Sequence, residues 1–280
     1  MKTVREYFNV RETKGDVGVE VEVEGENLPE APKGWRGEAD GSLRGESREY
    51  VLSQPVPITE LNNNLNRLKK SFVDMGSKFN ESFRAGVHVH VNVQELTTLQ
   101  LANMIVLYYL FEDNILSTCR NDRQGNHFCL RGQDAHGGVL TLKNLFLSSL
   151  KDCICDENGD KIRYSAMNVK CLGQYGSLEF RSLESTYDFN KISNFAKLHV
   201  ALREYSRKFE TPKKMMDVIL QQSAWEVSRQ VFGDLSDMFI RSEKFYERYE
   251  EGLELAEDLA FCKEWNVKSL DIFSPIEGVF

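Results

Sequence analysis

The sequence predicts an α+β fold: one sheet with a charged face, flanked by helices, with a helical C-terminal extension. Three observations carry this. In Gly18-Val19-Glu20-Val21-Glu22-Val23-Glu24-Gly25, valine and glutamate alternate strictly, a period of two that belongs to a β-strand with two unlike faces. The same period recurs in Gly86-Val87-His88-Val89-His90-Val91-Asn92-Val93, which sets His88, His90 and Asn92 against four valines. It recurs again in Gly176-Ser177-Leu178-Glu179-Phe180-Arg181-Ser182-Leu183, with Glu179 and Arg181 opposite Leu178, Phe180 and Leu183 or its neighbours. Three strands with apolar backs and ionisable fronts predict one sheet with a charged working face.

The remaining elements follow in chain order. Residues 26–48 are rich in glycine, proline and charge, hold Trp35 and Asp40-Gly41-Ser42, and read as a loop or hairpin. Tyr50-Val51-Leu52 is a short strand, ended by Ser53-Gln54-Pro55. Ile58, Leu61, Leu65, Leu68, Phe72 and Met75 are three or four apart, the spacing of an amphipathic helix that stops near Gly76. Thr97 or Thr98 can cap a helix running to about Cys119. Residues 121–138 lack apolar periodicity and read as a long loop; residues 140–150 read as a short helix. Residues 164–171 form an antiparallel partner for the Glu179 strand, with a turn at Leu172-Gly173-Gln174. Asp188 caps a helix carrying Ile192, Phe195, Leu198 and Leu202, in whose apolar pattern His199 reads as a packed histidine. From Pro212 onward the pattern is helical, and the glutamates of residues 243–258 read as a solvated helix face. No clear linker appears. The division expected is a catalytic domain over residues 1–210 and a helical extension over 211–280, packed on it.

Composition narrows the function. A net charge of −8 argues against a general nucleic-acid or anionic-membrane binder. The N-terminus leads into no apolar signal core, and the apolar stretch around residues 104–111 is too short to span a bilayer. The six cysteines include one close pair, Cys153 and Cys155, and no second pair completes a zinc pattern. Reduced thiols and a cytoplasmic location are the expectation.

The strand faces suggest metal chemistry. Neighbouring carboxylates on one strand face are ~6.6 Å apart. Glu20, Glu22 and Glu24 therefore repel one another, and glutamate is a poor strand former. Hard divalent cations with oxygen ligands would offset that cost. For one strand alone, a solvated edge face is an equal reading, and two histidines on a strand are more often structural than ligating. But the chain has only five histidines, and two share a strand face beside an asparagine. The coincidence of three such strands favours a metal site.

Taken in order, these residues resemble a family. Gly18-Val19-Glu20-Val21-Glu22, then Trp35 and Asp40-Gly41-Ser42-Leu43, Glu49 before Ser53-Gln54-Pro55, Gly86-Val87-His88-Val89-His90, and Glu179-Phe180-Arg181 are similar to the motifs of the amidoligases. These belong to the carboxylate–amine ligase superfamily of glutamine synthetase and glutamate–cysteine ligase. The likeness spans roughly residues 15 to 205. It implies a curved antiparallel sheet of the glutamine synthetase catalytic type, flanked by helices and shaped into a funnel, with ATP, Mg2+ (or Mn2+) and substrates on the concave face. It implies ATP-dependent amide formation, in which a carboxylate takes the γ-phosphate as an acyl phosphate and an amine displaces phosphate.

The resemblance also implies roles. Glu20, Glu22, Glu49, His88 and Glu179 match metal ligands. His88 also touches nucleotide phosphate, and Arg181 faces the phosphate in transfer. Gly86 and His90 fall at the substrate. Arg120 and Arg123 resemble a phosphate-facing arginine, against the alternative of a charge pair at a helix C-terminus. Glu24 falls at the funnel rim, and Asn92 and Asn168 are candidate supporting donors. No glycine-rich nucleotide motif is present, so ATP recognition rests on the resemblance. The substrates implied are a carboxylate and an amine, whether amino acid, peptide or protein side chain, with no nucleic acid and no membrane; the oligomeric state is open. Two other readings compete. One is a metal-dependent amide or isopeptide hydrolase on the same fold. The other is a degenerate, non-catalytic binding protein, against which the retained ionisable residues argue.

Overall fold

A computed structural model describes residues 2–124, 126, 129–132 and 164–261. Among these, seven strands form one open antiparallel sheet: β1 (Val17–Glu26), β2 (Trp35–Glu38), β3 (Ser47–Leu52), β4 (Lys78–Phe79), β5 (Gly86–Asn92), β6 (Met167–Asn168) and β7 (Ser177–Glu184). Their order is β2-β3-β1-β5-β7-β6, with β4 paired to the end of β1. The three patterned strands are thus central neighbours.

Register follows from the alternation. Val17, Val19, Val21 and Val23 of β1 and Val87, Val89 and Val91 of β5 are all buried on one face. Burying each valine contributes about 1.5–3 kcal/mol, and a one-residue slip would turn them all to the opposite face. A short helix, α1 (Val4–Phe8), precedes β1, and that face is covered by helices α2 (Leu61–Met75), α3 (Thr98–Leu116) and α5 (Phe189–Ser206). Phe72 of α2 meets Tyr50 of β3, and Tyr108 of α3 and His199 of α5 meet Phe180 of β7, with ring centroids 4.9, 5.2 and 3.8 Å apart. His199 is a core residue, as its apolar setting predicts; its Nδ1 lies 2.8 Å from the Phe195 carbonyl oxygen.

One irregularity matters for the site. Val87 pairs with Leu183 but Val89 pairs with Phe180, so β7 carries an extra residue opposite His88. This β-bulge lets both Phe180 and Leu183 reach the core while Arg181 stays on the front. Strict alternation would have put Leu183 beside Arg181.

Helix boundaries follow local chemistry. Thr97 forms a capping box with Gln100, Asp188 accepts from the Asn190 and Lys191 N–H groups, and α2 ends at left-handed Gly76. The C-terminal part forms α6 (Pro212–Ile219), α7 (Ala224–Phe232) and α8 (Glu243–Ala260), and α8 packs along α3. At Gly252 a Cβ would lie 2.4 Å from the Leu110 carbonyl oxygen, so only glycine lets the two backbones approach this closely. One hydrophobic core runs through both parts, from Val4 to Ala260.

Of the two readings for residues 26–48 the hairpin holds: edge strand β2 pairs antiparallel with β3 and has no apolar pattern of its own. Two local readings change. β3 begins earlier than Tyr50, at Ser47, and so includes Glu49. Residues 172–174 belong to a short helix, α4 (Cys171–Tyr175), which closes at left-handed Gly176. The expected helix over residues 140–150 lies outside the described residues, as does half of the loop expected over 121–138.

Candidate active site

The front of the sheet is built in rows that cross the strands. In one row Glu38 of β2 is level with Glu49 of β3, and Glu49 with Glu22 of β1. Glu22 Oε2 then accepts the Gly86 N–H of β5 at 2.8 Å. In the next row Glu20 pairs with His88, and the β7 bulge supplies Arg181. In the third, Gly18 pairs with His90, His90 with Glu179, and Glu179 with Asn168.

His88 is the hub. Its Nδ1 lies 3.2 Å from Glu20 Oε2 and 3.4 Å from Glu179 Oε1, and its Nε2 lies 3.6 Å from Glu22 Oε1. Arg181 forms an ion pair with Glu179, while Asn168 Nδ2 donates to the other Glu179 oxygen at 2.6 Å. The Arg181 Nε is buried with no hydrogen-bond partner, a costly state for a charged donor.

The electrostatics divide the carboxylates. Burial acts to raise Glu20 and Glu179. It is outweighed at Glu20 by hydrogen bonds from His88 and His90, and at Glu179 by the charges of His90 and Arg181; both carboxyls sit below their ordinary range. Burial raises Glu22, against the opposing pull of His88. Burial together with Glu20 and Glu22 pushes Glu49 up to about 8. Burial works against the charged form of His90, yet contacts with Cys171 and Glu20 hold its pKa well above the usual value.

Among the described residues, three groups have donor atoms within 4.8 Å of one another: Glu20, Glu49 and His88; Glu22, Asp40 and Glu49; and His90, Cys171 and Glu179. The first two are carboxylate oxygens with one imidazole, a donor set suited to hard divalent cations. A metal fits here for a further reason. Glu22 and Glu49 are carboxylates directly opposed across two strands, with no Lys or Arg ion pair to either among the described residues.

The five expected ligands, Glu20, Glu22, Glu49, His88 and Glu179, therefore share one sheet face, with Arg181 and His90 among them. Gly86 lies beside Glu22, and a Cβ there would come within 2.7 Å of Arg123 Nη2. Arg123 is buried, with Nη1 donating to the Phe83 carbonyl at 3.2 Å and Nη2 to the Arg181 carbonyl at 2.6 Å. Arg120 is engaged by Asp122 at 2.7 Å and by the Ser82 carbonyl at 2.9 Å. Glu24 lies outside the cluster, where it accepts from the Arg44 N–H. Asn92 is taken up by the Thr13 and Gly15 carbonyls.

Two residues here were not foreseen as donors. Asp40 arrives from the β2–β3 connection, and only its place in the Asp40-Gly41-Ser42 motif marked it. Cys171 comes from α4, with no periodic signal at all. Beside the cluster a cavity of about 330 Å3 is lined by Glu20, His90, Arg36, Val51, Pro55 and Tyr175 among others. A larger cleft of about 480 Å3, near the N-terminus, has its Arg5 and Arg203 neutralised by Glu12 and Asp16.

No helix among the described residues is long and apolar enough to cross a membrane. No curated protein matches the chain. A family model described as "Putative amidoligase enzyme" matches residues 20–203, a span that runs from the first carboxylate of the cluster to the end of the sheet and through most of α5.

Proposed function

Because the chain belongs to this amidoligase family, we propose that it is an ATP- and Mg2+-dependent carboxylate–amine ligase that forms an amide through an acyl phosphate. The observation that supports this best is the convergence of Glu20, Glu22, Glu49, His88, Glu179 and Arg181 on one sheet face.

Divalent cations would be held by Glu20, Glu49 and His88, and by Glu22, Asp40 and Glu49. When bound they neutralise charge on the nucleotide phosphates, the main requirement of phosphoryl transfer. The protein's own groups do the rest. Arg181 stands in the cluster with its Nε buried and unpartnered and its side chain 18% exposed, so the exposed part of the guanidinium would meet a phosphate oxygen first, and a small shift would bring Nε to it. Asn168 and Arg181 together fix both oxygens of Glu179, so the carboxylate needs little reorganisation when a ligand arrives. At Gly86, the position the resemblance puts at the substrate, the room left by the missing side chain is filled by the Arg123 guanidinium, and the N–H is held by Glu22. The adjacent cavity, with cationic Arg36 and the Tyr175 ring, offers room for an amino-acid-sized group.

The carboxylate substrate is a weak nucleophile, so holding it close to the γ-phosphate is the largest service the site can give. Small amino acids, peptides and protein side chains are the substrate classes to screen. The deciding experiment measures phosphate release from ATP with Mg2+ against pools of carboxylates and amines, with mass spectrometry for a condensed product. ATP-dependent product formation supports the reading. Amide cleavage without ATP would replace it with the hydrolase. Neither activity across the pools, from folded protein that binds Mg2+, would favour a binding protein.

A further inference from the structure

We propose that His90, Cys171 and Glu179 form a site for a borderline-soft divalent ion of the zinc class, bridged through Glu179 to the carboxylate cluster. The donor atoms lie within 4.8 Å of one another. Ligands of a tetrahedral zinc ion with bonds of ~2.0–2.3 Å are separated by about 3.3–3.8 Å. A shift of about one ångström closes the set, and Cys171 Sγ already lies 3.4 Å from Glu179 Oε2.

The chemistry differs from the rest of the face. A thiolate selects zinc-like ions, whereas Mg2+ prefers oxygen. A buried cysteine is ordinarily an apolar filler. Cys171 is buried, yet it faces an imidazole and a carboxylate. The other described cysteines differ: Cys119 Sγ meets the Ile115 carbonyl and Cys129 Sγ the Arg123 carbonyl. The backbone holds Cys171 in place. Gly176, at φ 66°, turns α4 back onto β7, and a Cβ there would lie 2.5 Å from Gln94 Cγ.

Supporting contacts are also present. Glu179 presents separate edges to the two sites: Oε1 faces His88 and Arg181, while Oε2 faces Cys171 and Asn168. Asn168 Nδ2 lies 2.6 Å from that Oε2 and 3.7 Å from Cys171 Sγ. His90 Nε2 lies 3.2 Å from Glu20 Oε1 and its Nδ1 lies 3.3 Å from Ser177 Oγ; an ion taking Nδ1 displaces the Ser177 hydroxyl and keeps Glu20 on the far nitrogen, an arrangement typical of metal-bound histidine. On binding, the Cys171 S–H bond breaks, a sulfur–metal bond forms, and the proton leaves to solvent.

The test is independent of ATP and of turnover. Co2+ is titrated into metal-free protein, and thiolate-to-cobalt charge-transfer absorption is followed. The band is expected in the wild type and in Cys153→Ser/Cys155→Ser, and should be displaced by Zn2+ but not by Mg2+. It should vanish in Cys171→Ser, and in His90→Gln, which removes a ligand, the affinity should fall by more than the ~10–100-fold typical of losing a supporting contact. A band that survives Cys171→Ser, or no band in folded wild type, overturns the proposal. If Cys171→Ser does not fold, alkylation of Cys171 in the wild type decides: protection by Zn2+ but not Mg2+ supports the site, and equal alkylation with and without Zn2+ overturns it.

Discussion

Glu22 and Glu49 stand directly opposite each other on β1 and β3, a register position where like charges destabilise a sheet. No Lys or Arg ion pair to either is found among the described residues. The protein instead shifts their proton affinities. Burial raises Glu22, and burial with the neighbouring carboxylates pushes Glu49 up to about 8. Without metal the pair keeps a proton that a divalent ion would displace.

That gives a pH signature. Glu49 is raised above its unfolded value of 4.5, so its contribution to stability is full below pH 4.5 and is lost as pH rises through about 8. In metal-free buffer the thermal midpoint of the wild type should fall across this window relative to Glu49→Gln, which cannot ionise. Mg2+ should reverse the fall in the wild type and do much less for the variant, since a ligand of the folded state alone stabilises by linkage. Thermal melts of both proteins from pH 5 to 8, with and without Mg2+, measure this. Parallel profiles would remove Glu49 from the cluster.

A second prediction concerns Gly86. A Cβ at this position meets Arg123 Nη2 at 2.7 Å and the Leu183 carbonyl oxygen at 3.2 Å. Neither gives way easily, because Arg123 is buried and Leu183 is fixed in β7. Gly86→Ala should cost about 1–3 kcal/mol in denaturant unfolding, the usual penalty of overpacking. A variant as stable as the wild type would mean that Arg123 has another place to go, and that its hold on the Arg181 carbonyl is dispensable.

His199 predicts the opposite pH behaviour in the core. Burial lowers its pKa to about 3, so it is neutral in the folded state and charged in acid when unfolded. The stability tied to this depressed pKa is present above pH 6.5 and is lost as pH falls toward 3, by up to ~1.4 kcal/mol per pH unit. His199→Phe should flatten the acid limb of the unfolding profile by about this slope. An unchanged acid limb would show that the imidazole finds a charge partner.

The central sheet was legible because its signal is local and doubled: Val19 and Val21 mark one face, Glu20 and Glu22 the other. The ligand rows followed once those strands were neighbours. Other features were not legible, for physical reasons. The β7 bulge leaves only a trace in the sequence: Leu178, Phe180 and Leu183 cannot share a face under strict alternation, but the pairing of Val87 with Leu183 is needed to place the extra residue. β2 is four residues long and held by its partner. Asp40 and Cys171 come from segments outside the patterned strands, so their approach depends on tertiary contacts. Arg120 and Arg123 read as equivalent from the sequence, yet one is partly exposed against Asp122 and the other is buried beneath the bulge.

Arg181→Lys tests the proposed mechanism most sharply. The bulge sets Arg181 on the front face, Arg123 holds its carbonyl, and Glu179 holds its guanidinium. Its Nε remains unpartnered in a buried position. Lysine preserves the charge but loses the planar fork and that Nε donor. If Arg181 contacts the phosphate in transfer, the lost interaction is stronger in the transition state than in the ground state. Turnover should then fall roughly 10²-fold, the scale of removing one preorganised donor, while nucleotide affinity changes little. If Arg181 serves only as the partner of Glu179, the loss should appear in thermal stability, with turnover per folded molecule unchanged. Measuring turnover, nucleotide affinity and unfolding on one preparation separates the two, and unchanged turnover would take Arg181 out of the chemistry.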